Sequence, residues 1–106
     1  MKPLSIRWTA FAVRALDEIR IYLETESGSE NIARRYLLKI VRRTEQLAYF
    51  PESGEVESFL HSKGLTRRYL IEGNYKIIYQ YNNSEVIITD VFHTKQNPIK
   101  IIRRSR

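Results

Sequence analysis

The spacing of hydrophobic positions changes character along the chain, and each change predicts a different kind of element. Leu4, Ile6 and Trp8 alternate with Ser5 and Arg7, which predicts a short strand with one apolar face. From there the spacing lengthens. Ala12, Ala15, Leu16, Ile19 and Leu23 fall on one stripe of a helix, with Thr9 placed as its N-cap and Gly28 as its end. A second helix follows almost at once, its stripe formed by Ala33, Tyr36, Leu37, Ile40, Leu47 and Ala48. Ser27 and Glu30 have the spacing of a capping box ahead of it, and Pro51 stops it. Residues 52–64, with Ser53, Gly54, Ser58, Ser62 and Gly64, carry no strong period and read as a loop. Alternation then returns in residues 67–71, 75–81 and 85–91, rich in β-branched and aromatic side chains. Glu72-Gly73-Asn74 and Asn82-Asn83-Ser84 separate them, and Gly and Asn accept positive φ at little cost. The result is an antiparallel meander whose last strand delivers Phe92 and His93, before Pro98, which lacks an amide donor, ends the pattern.

These elements combine in one economical way. The first strand finds no partner among helices, so it must return to the sheet of the meander. Both helical stripes are too apolar to face water, and a sheet of this kind needs one face covered. The expected architecture is therefore α+β: an N-terminal strand and a helical hairpin packed on one face of a small, twisted, four-stranded antiparallel sheet whose other face stays partly open. Leu16, Ile19, Leu23, Ala33, Leu37 and Ile40 should pack against Ile77 or Ile78 and Ile87 or Ile88. Residues 1–98 form a single domain in this reading. Residues 99–106 are a basic tail, with strand, short helix and disordered arm all left open.

Length and composition narrow the function. A chain of 106 residues, 42% hydrophobic, is enough for one core and too little for two. Eighteen Lys and Arg against twelve Asp and Glu give a formal charge of +6, which favours an anionic partner, either nucleic acid or an acidic protein. Without cysteine there is neither a disulfide framework nor a thiolate metal site. Neither an apolar leader nor a membrane-length apolar run is present, which points to a cytoplasmic protein. His61 and His93 are far apart and outside any ligand-spaced cluster, so no metal site is expected. Gly73 is a lone hairpin glycine rather than part of a phosphate loop, and no serine stands in a G-x-S-x-G elbow.

What remains is a basic and aromatic set on the meander: Arg67, Arg68, Tyr69, Tyr75, Lys76, Tyr79, Tyr81 and His93. Such a set could hold a phosphate backbone and stack bases. Alternating tyrosines more often mark a packed sheet face. Strand parity sends Arg67 and Arg68 to opposite faces, so only one can anchor a ligand on the open side. The same parity puts His93 on one face with Val91, Thr89 and Ile87.

Taken in order, the strand, the helical hairpin ending in LAYFPESG, the stretch RRYLIEGNYKIIYQY and the strand running into VFHTKQNP resemble the RelE/ParE family of toxins from bacterial type II toxin–antitoxin systems. The most specific pieces are Phe50-Pro51-x-Ser53-Gly54, the spacing from Arg67 and Arg68 to Tyr75-x-Ile77-x-Tyr79, and the final strand with His93. The resemblance implies two helices on a twisted antiparallel sheet, no cofactor, and a cognate antitoxin whose C-terminal segment wraps the toxin. It also implies that DNA is met only indirectly, through the toxin–antitoxin complex. In the RelE-like branch, messenger RNA is cleaved in the ribosome by a set of Lys, Arg, Glu, His and a C-terminal Tyr. Here that set would be Arg67 or Arg68 as phosphate clamp, His93 as acid or base, and Glu55 or Glu57 as a remote base. No tyrosine follows Tyr81, so the aromatic of that branch has no counterpart. The ParE-like branch acts on DNA gyrase without a nuclease site, and this chain looks closer to it. On that reading Arg67, Arg68, Tyr75, Phe92, His93, Lys95, Arg103 and Arg104 are the candidates for partner or target contact.

Overall fold

The computed structural model describes residues 2–58 and 67–95. His61 and the basic tail with Arg103 and Arg104 lie outside the described residues. The elements run β1 (Ser5–Trp8), α1 (Ala10–Ser27), α2 (Glu30–Arg43), two 3₁₀ turns (Glu45–Ala48 and Pro51–Ser53), β2 (Glu55–Val56), β3 (Arg68–Glu72), β4 (Tyr75–Tyr81) and β5 (Glu85–His93). Thr9 caps α1 as its sequence position predicts, its hydroxyl accepting from the Ala12 amide, and Gly28 ends that helix at φ 69°, where a side chain would be strained.

The cap of α2 differs from expectation. Ser29 performs it, accepting from the Ile32 amide, while Ser27 is the last residue of α1 and donates to the Leu23 carbonyl. α2 also stops at Arg43 instead of running on to Ala48. Thr44 donates its hydroxyl back to the Val41 carbonyl, and Leu47 reaches the core from a separate 3₁₀ turn. Leu47 and the α2 stripe are both buried, which is why their spacing read as one helix.

All five described strands form one sheet in the order β1-β5-β4-β3-β2. β1 returns to the sheet as its pattern requires, but it pairs parallel to β5, and the other pairings are antiparallel. The fifth strand, β2, lies in the stretch expected to be loop. Its two residues pair with Tyr69 and Arg68, too short a run to show a period. At the first hairpin Gly73 takes φ 59° and no other residue of the turn is positive, so Gly alone meets the requirement of the two-residue loop. At the second, Asn82 keeps a negative φ. Its side-chain oxygen accepts from the Ser84 and Glu85 amides, so the turn is held by a side chain rather than by backbone permissiveness.

α1 packs on β5 and α2 on β3, so the helical hairpin covers one sheet face. Ile19 and Ile40 meet Leu70, Ile77, Tyr79, Val86, Ile88 and Val91 there, with Leu16, Leu23 and Leu37 half-buried around them. Of the alternatives left open by the sequence, Ile77 and Ile88 face the helices. A bulge decides the second: Ile78 pairs with Asp90 but Tyr79 pairs with Ile88, leaving Thr89 as the extra residue. Facing parity reverses across it. His93 therefore shares a face with Val91 and, across the bulge, with Ile88 and Val86, not with Ile87. On the opposite face Ile78, Asp90 and Phe92 are buried, so its centre is closed. Around it Arg7, Tyr69, Ile71, Lys76, Gln80 and Ile87 keep exposure.

The Phe50-Pro51-x-Ser53-Gly54 turn is bound to the sheet by two side chains from adjacent strands. The Tyr79 hydroxyl donates to the Pro51 carbonyl at 2.6 Å and accepts from the Gly54 amide at 2.9 Å. Arg68, registered opposite Tyr79, donates to the carbonyls of Gly54 and Glu52 at 2.8 and 3.3 Å. Glycine is required by space at this position: a Cβ on Gly54 would come 2.5 Å from the Tyr79 hydroxyl and 2.7 Å from the Tyr69 carbonyl.

Two stability predictions follow from this packing. Ile40→Ala, at a site 1% exposed, should cost about 2–5 kcal/mol in urea unfolding, and Leu37→Ala, half-buried, should fall at or below the low end. Gly54→Ala should destabilise by about 1–3 kcal/mol, because neither the Tyr69 backbone nor the packed Tyr79 ring can retreat.

Candidate functional site

The sequence-predicted residues do not gather in one place. Arg68 pairs with Tyr79 and His93 with Tyr75, positions about 13 Å apart along β4 at 3.3 Å per residue, and on different neighbouring strands. Arg68 is engaged by the carbonyls of the 51–54 turn. Arg67 is half-buried, and its guanidinium pKa is lowered by that burial. Both arginines line a hollow of about 480 Å³ with Gln80, Tyr81, Asn82 and Ile87, at the end of the sheet away from His93. The remote carboxylates are occupied too. Glu55 accepts from the Tyr69 hydroxyl at 2.6 Å, and Glu57 pairs with Lys76, whose ammonium also lies 4.2 Å from the centre of the Tyr69 ring. The Tyr69 pKa is raised, chiefly by the Glu55 bond. Together these contacts fasten the short edge strand β2 to β3 and β4. Among the described residues no group of His, Cys, Asp or Glu could hold a metal ion.

A different surface does converge. Between α1 and the end of β5 lies a mainly apolar groove of about 480 Å³, lined by Ile19 and Tyr22 from the helix, Tyr75 from β4, and Val91 and His93 from β5. Glu18 and Lys95 stand at its margins. It continues over the end of the helical hairpin into a second hollow of about 330 Å³, which shares Tyr22, Tyr75 and His93 and adds Ile32 and Tyr36. Tyr75 and His93 meet edge to face at 5.7 Å, and the His93 Nδ1 accepts from the Lys95 amide at 3.2 Å, which holds the imidazole against the tyrosine. Burial raises the pKa of the Tyr75 phenol, with smaller contributions from Tyr22 and Tyr36.

Exposure separates the lining from the floor. Tyr22, Tyr36 and Ile32 are 58%, 46% and 40% exposed, whereas Tyr75 is almost wholly buried and forms the base. Phe92 also touches the groove lining, but its side chain belongs to the opposite sheet face and, at 4% exposed, offers a partner little surface. An apolar patch with aromatic walls and a polar rim fits an amphipathic helix or an apolar peptide segment far better than it fits chemistry on a small substrate. Tyr36 read as core in sequence, and Tyr22 and Ile32 carried no signal individually. The signal that could have found them is an excess: Val13, Ile21, Tyr22, Ile32, Tyr36 and Leu38 are more apolar side chains than one buried stripe can absorb.

The arrangement of helical hairpin and sheet has a counterpart among known families. The model of the ParE toxin of type II toxin–antitoxin systems (parDE) matches residues 6–98. The chain belongs to the ParE toxin family. A solved structure described as the chromosomal ParDE toxin–antitoxin system from P. aeruginosa superposes with a TM-score of 0.70 at 20% identity, over 85% of this chain and 95% of that one. At that identity the likeness speaks for the fold. No curated protein sequence gives a match. No described helix is long and apolar enough to cross a membrane. The fold expected from the sequence, two helices on an antiparallel sheet, is, apart from the parallel β1, that of a ParE toxin structure.

Gly54, Arg68 and Tyr79 thus act together in holding the chain. Burial is the main cause raising the Tyr79 phenol above its usual 10.0, with the Gly54 amide and Arg68 opposing it. A raised folded-state pKa means that stability is complete below pH 10 and declines as pH climbs past it, when the unfolded chain ionises first. Tyr79→Phe should therefore lose about 1–3 kcal/mol at neutral pH, from the two bonds of the hydroxyl, yet show a shallower decline between pH 9 and 11 in pH-dependent urea melts.

Proposed function

We propose that this ParE-family toxin is non-enzymatic and acts on DNA gyrase in the cytoplasm, and that a cognate antitoxin neutralises it by laying a mainly apolar segment into the groove between α1 and β5. The single observation that carries the non-nuclease reading is the dispersal of the cleavage set. A phosphoryl-transfer site needs cations, a base and an acid around one phosphate. In this chain Arg68 holds a turn, Glu55 and Glu57 hold an edge strand, and His93 meets Tyr75 edge to face at the far end of β4. The gyrase target comes from the family resemblance. The neutralising contact is supported by the groove, where Tyr22 and Tyr36 are rigid aromatic anchors of the kind that dominate interfaces. Lys95 at the margin, with Arg103 and Arg104 further along the sequence, supplies charge for an acidic antitoxin, which serves the rate of encounter more than its final strength.

Two assays on one preparation test the target. The purified chain should inhibit gyrase supercoiling and leave messenger RNA in translating ribosomes intact. Codon-positioned cleavage lost on His93→Ala, or on neutralising Arg67 and Arg68, would overturn the reading in favour of the RelE-like nuclease. Failure in both assays with antitoxin binding preserved would leave an inactive scaffold.

Binding of the product of the adjacent reading frame tests the groove. Tyr22→Ala should weaken it by about tenfold or more while shifting the thermal midpoint little, since that ring is 58% exposed in the free toxin. Unchanged affinity would place the antitoxin elsewhere.

A further inference from the structure

Among the described elements, one carries the largest excess of positive charge. α2 carries Arg34, Arg35, Lys39, Arg42 and Arg43 against the single carboxylate of Glu30. α1 carries two arginines against four carboxylates, and its Arg20 is engaged by both Asp17 and Glu24 at 2.8 and 2.9 Å. On α2 no such pairing exists. Arg34, Arg35, Lys39 and Arg42 are exposed, and none of them forms an ion pair among the described residues. Arg43 is different, donating to the Ile71 carbonyl and to Gln46, and Lys39 lies 5.7 Å from the centre of the Tyr36 ring.

Helix geometry gathers the four free cations. At about 100° per residue they fall within an arc of about 140°, opposite the buried Ala33 and Ile40, and they span about 12 Å of axis. The helix macrodipole favours Arg42 in the last turn but does nothing for Arg34, Arg35 or Lys39, and like charges at i,i+4 repel. So the pattern opposes helix stability, and a ligand that neutralises it would relieve the repulsion.

We propose that this outer face of α2 binds the phosphate backbone of duplex DNA without reading its sequence. One strand presents a phosphate about every 3.4 Å of duplex axis, so 12 Å of helix faces about three or four phosphates, matching the four cations in number and length. Three of the four are arginine, whose planar fork suits phosphate oxygens. An acidic peptide fits less well. The face is convex, it lines none of the hollows described above, and its only apolar group is Leu38. Arg34, Arg35 and Arg42 are turned about 100° or more from the groove's Tyr36, while Lys39 lies over that ring at the border of the two surfaces.

The test uses the purified chain and a short random-sequence duplex, titrated by fluorescence anisotropy over a range of salt. Wild type should bind with a steep salt dependence. The variant Arg34→Gln/Arg35→Gln/Lys39→Gln/Arg42→Gln should lose at least about tenfold in affinity at low salt, and its log–log salt slope should fall by about 3, at about 0.9 per phosphate contact. Gln keeps helix propensity, so its thermal midpoint should be equal or higher, which separates lost binding from unfolding. Equal affinity and slope for variant and wild type would overturn the proposal. So would a tail variant, Arg103→Gln/Arg104→Gln, that alone removes all binding, or polyglutamate competing as well as the duplex at equal charge. Two further arms separate the source of the DNA. Weaker gyrase inhibition with intact antitoxin binding points to DNA held by the target, and weaker operator binding by the toxin–antitoxin complex points to the promoter. Neither arm is needed for the duplex titration, so failure of the gyrase reading leaves this result readable.

Discussion

One buried hydroxyl holds the two halves of this toxin in register. Tyr79 sits at the middle of the sheet with its ring in the core, and its oxygen both donates to Pro51 and accepts from Gly54. A phenol buried without partners would be unfavourable, and the backbone of an irregular turn has polar groups that no ladder satisfies. Each solves the problem of the other. Arg68 on the next strand closes the same turn from the side. The turn thus fixed delivers Glu55 and Val56 alongside β3, and so sets where the sheet ends. Residues from the stretches that carry the family resemblance thereby form the joint between the helical half and the meander.

With those polar groups committed to structure, the surface available for function lies elsewhere. α1 and α2 divide it by charge and polarity. The groove side of the hairpin is aromatic, with acidic residues of α1 close by, and the outer side of α2 is cationic. Such segregation on two adjacent helices does not come from burial, because both faces are exposed. It suits a small protein that must meet chemically unlike partners on separate surfaces.

The sequence was most readable where one physical rule acts alone. Thr9, Gly28 and Gly73 each stand where a single local requirement, a cap or a positive φ, has few solutions. The helical stripe and the three long strands follow from periodicity for the same reason. Reading failed where two rules gave one pattern. Leu47 continues the spacing of α2 although Thr44 has already ended that helix, and β2 is too short to have a period at all. The groove was hidden differently, since Tyr36 fits a core stripe in one dimension. Only the packed structure shows that its ring is exposed and lines the hollow over the end of the helical hairpin.

Thr89 shows how little separates a core position from a functional one. Strict alternation from Val86 and Ile88 would turn Asp90 toward the helices and carry Val91 and His93 to the other face. The extra residue reverses this beyond Ile78, so Asp90 leaves the apolar layer and Val91 takes its place. His93 then arrives beside Tyr75 at the mouth of the groove rather than behind the sheet. The bulge therefore does two things with one residue: it spares the core a carboxylate, and it completes an aromatic wall built from three elements far apart in sequence. A deletion at Thr89 would reverse both effects at once, which ties the shape of the groove to the integrity of the core beneath it.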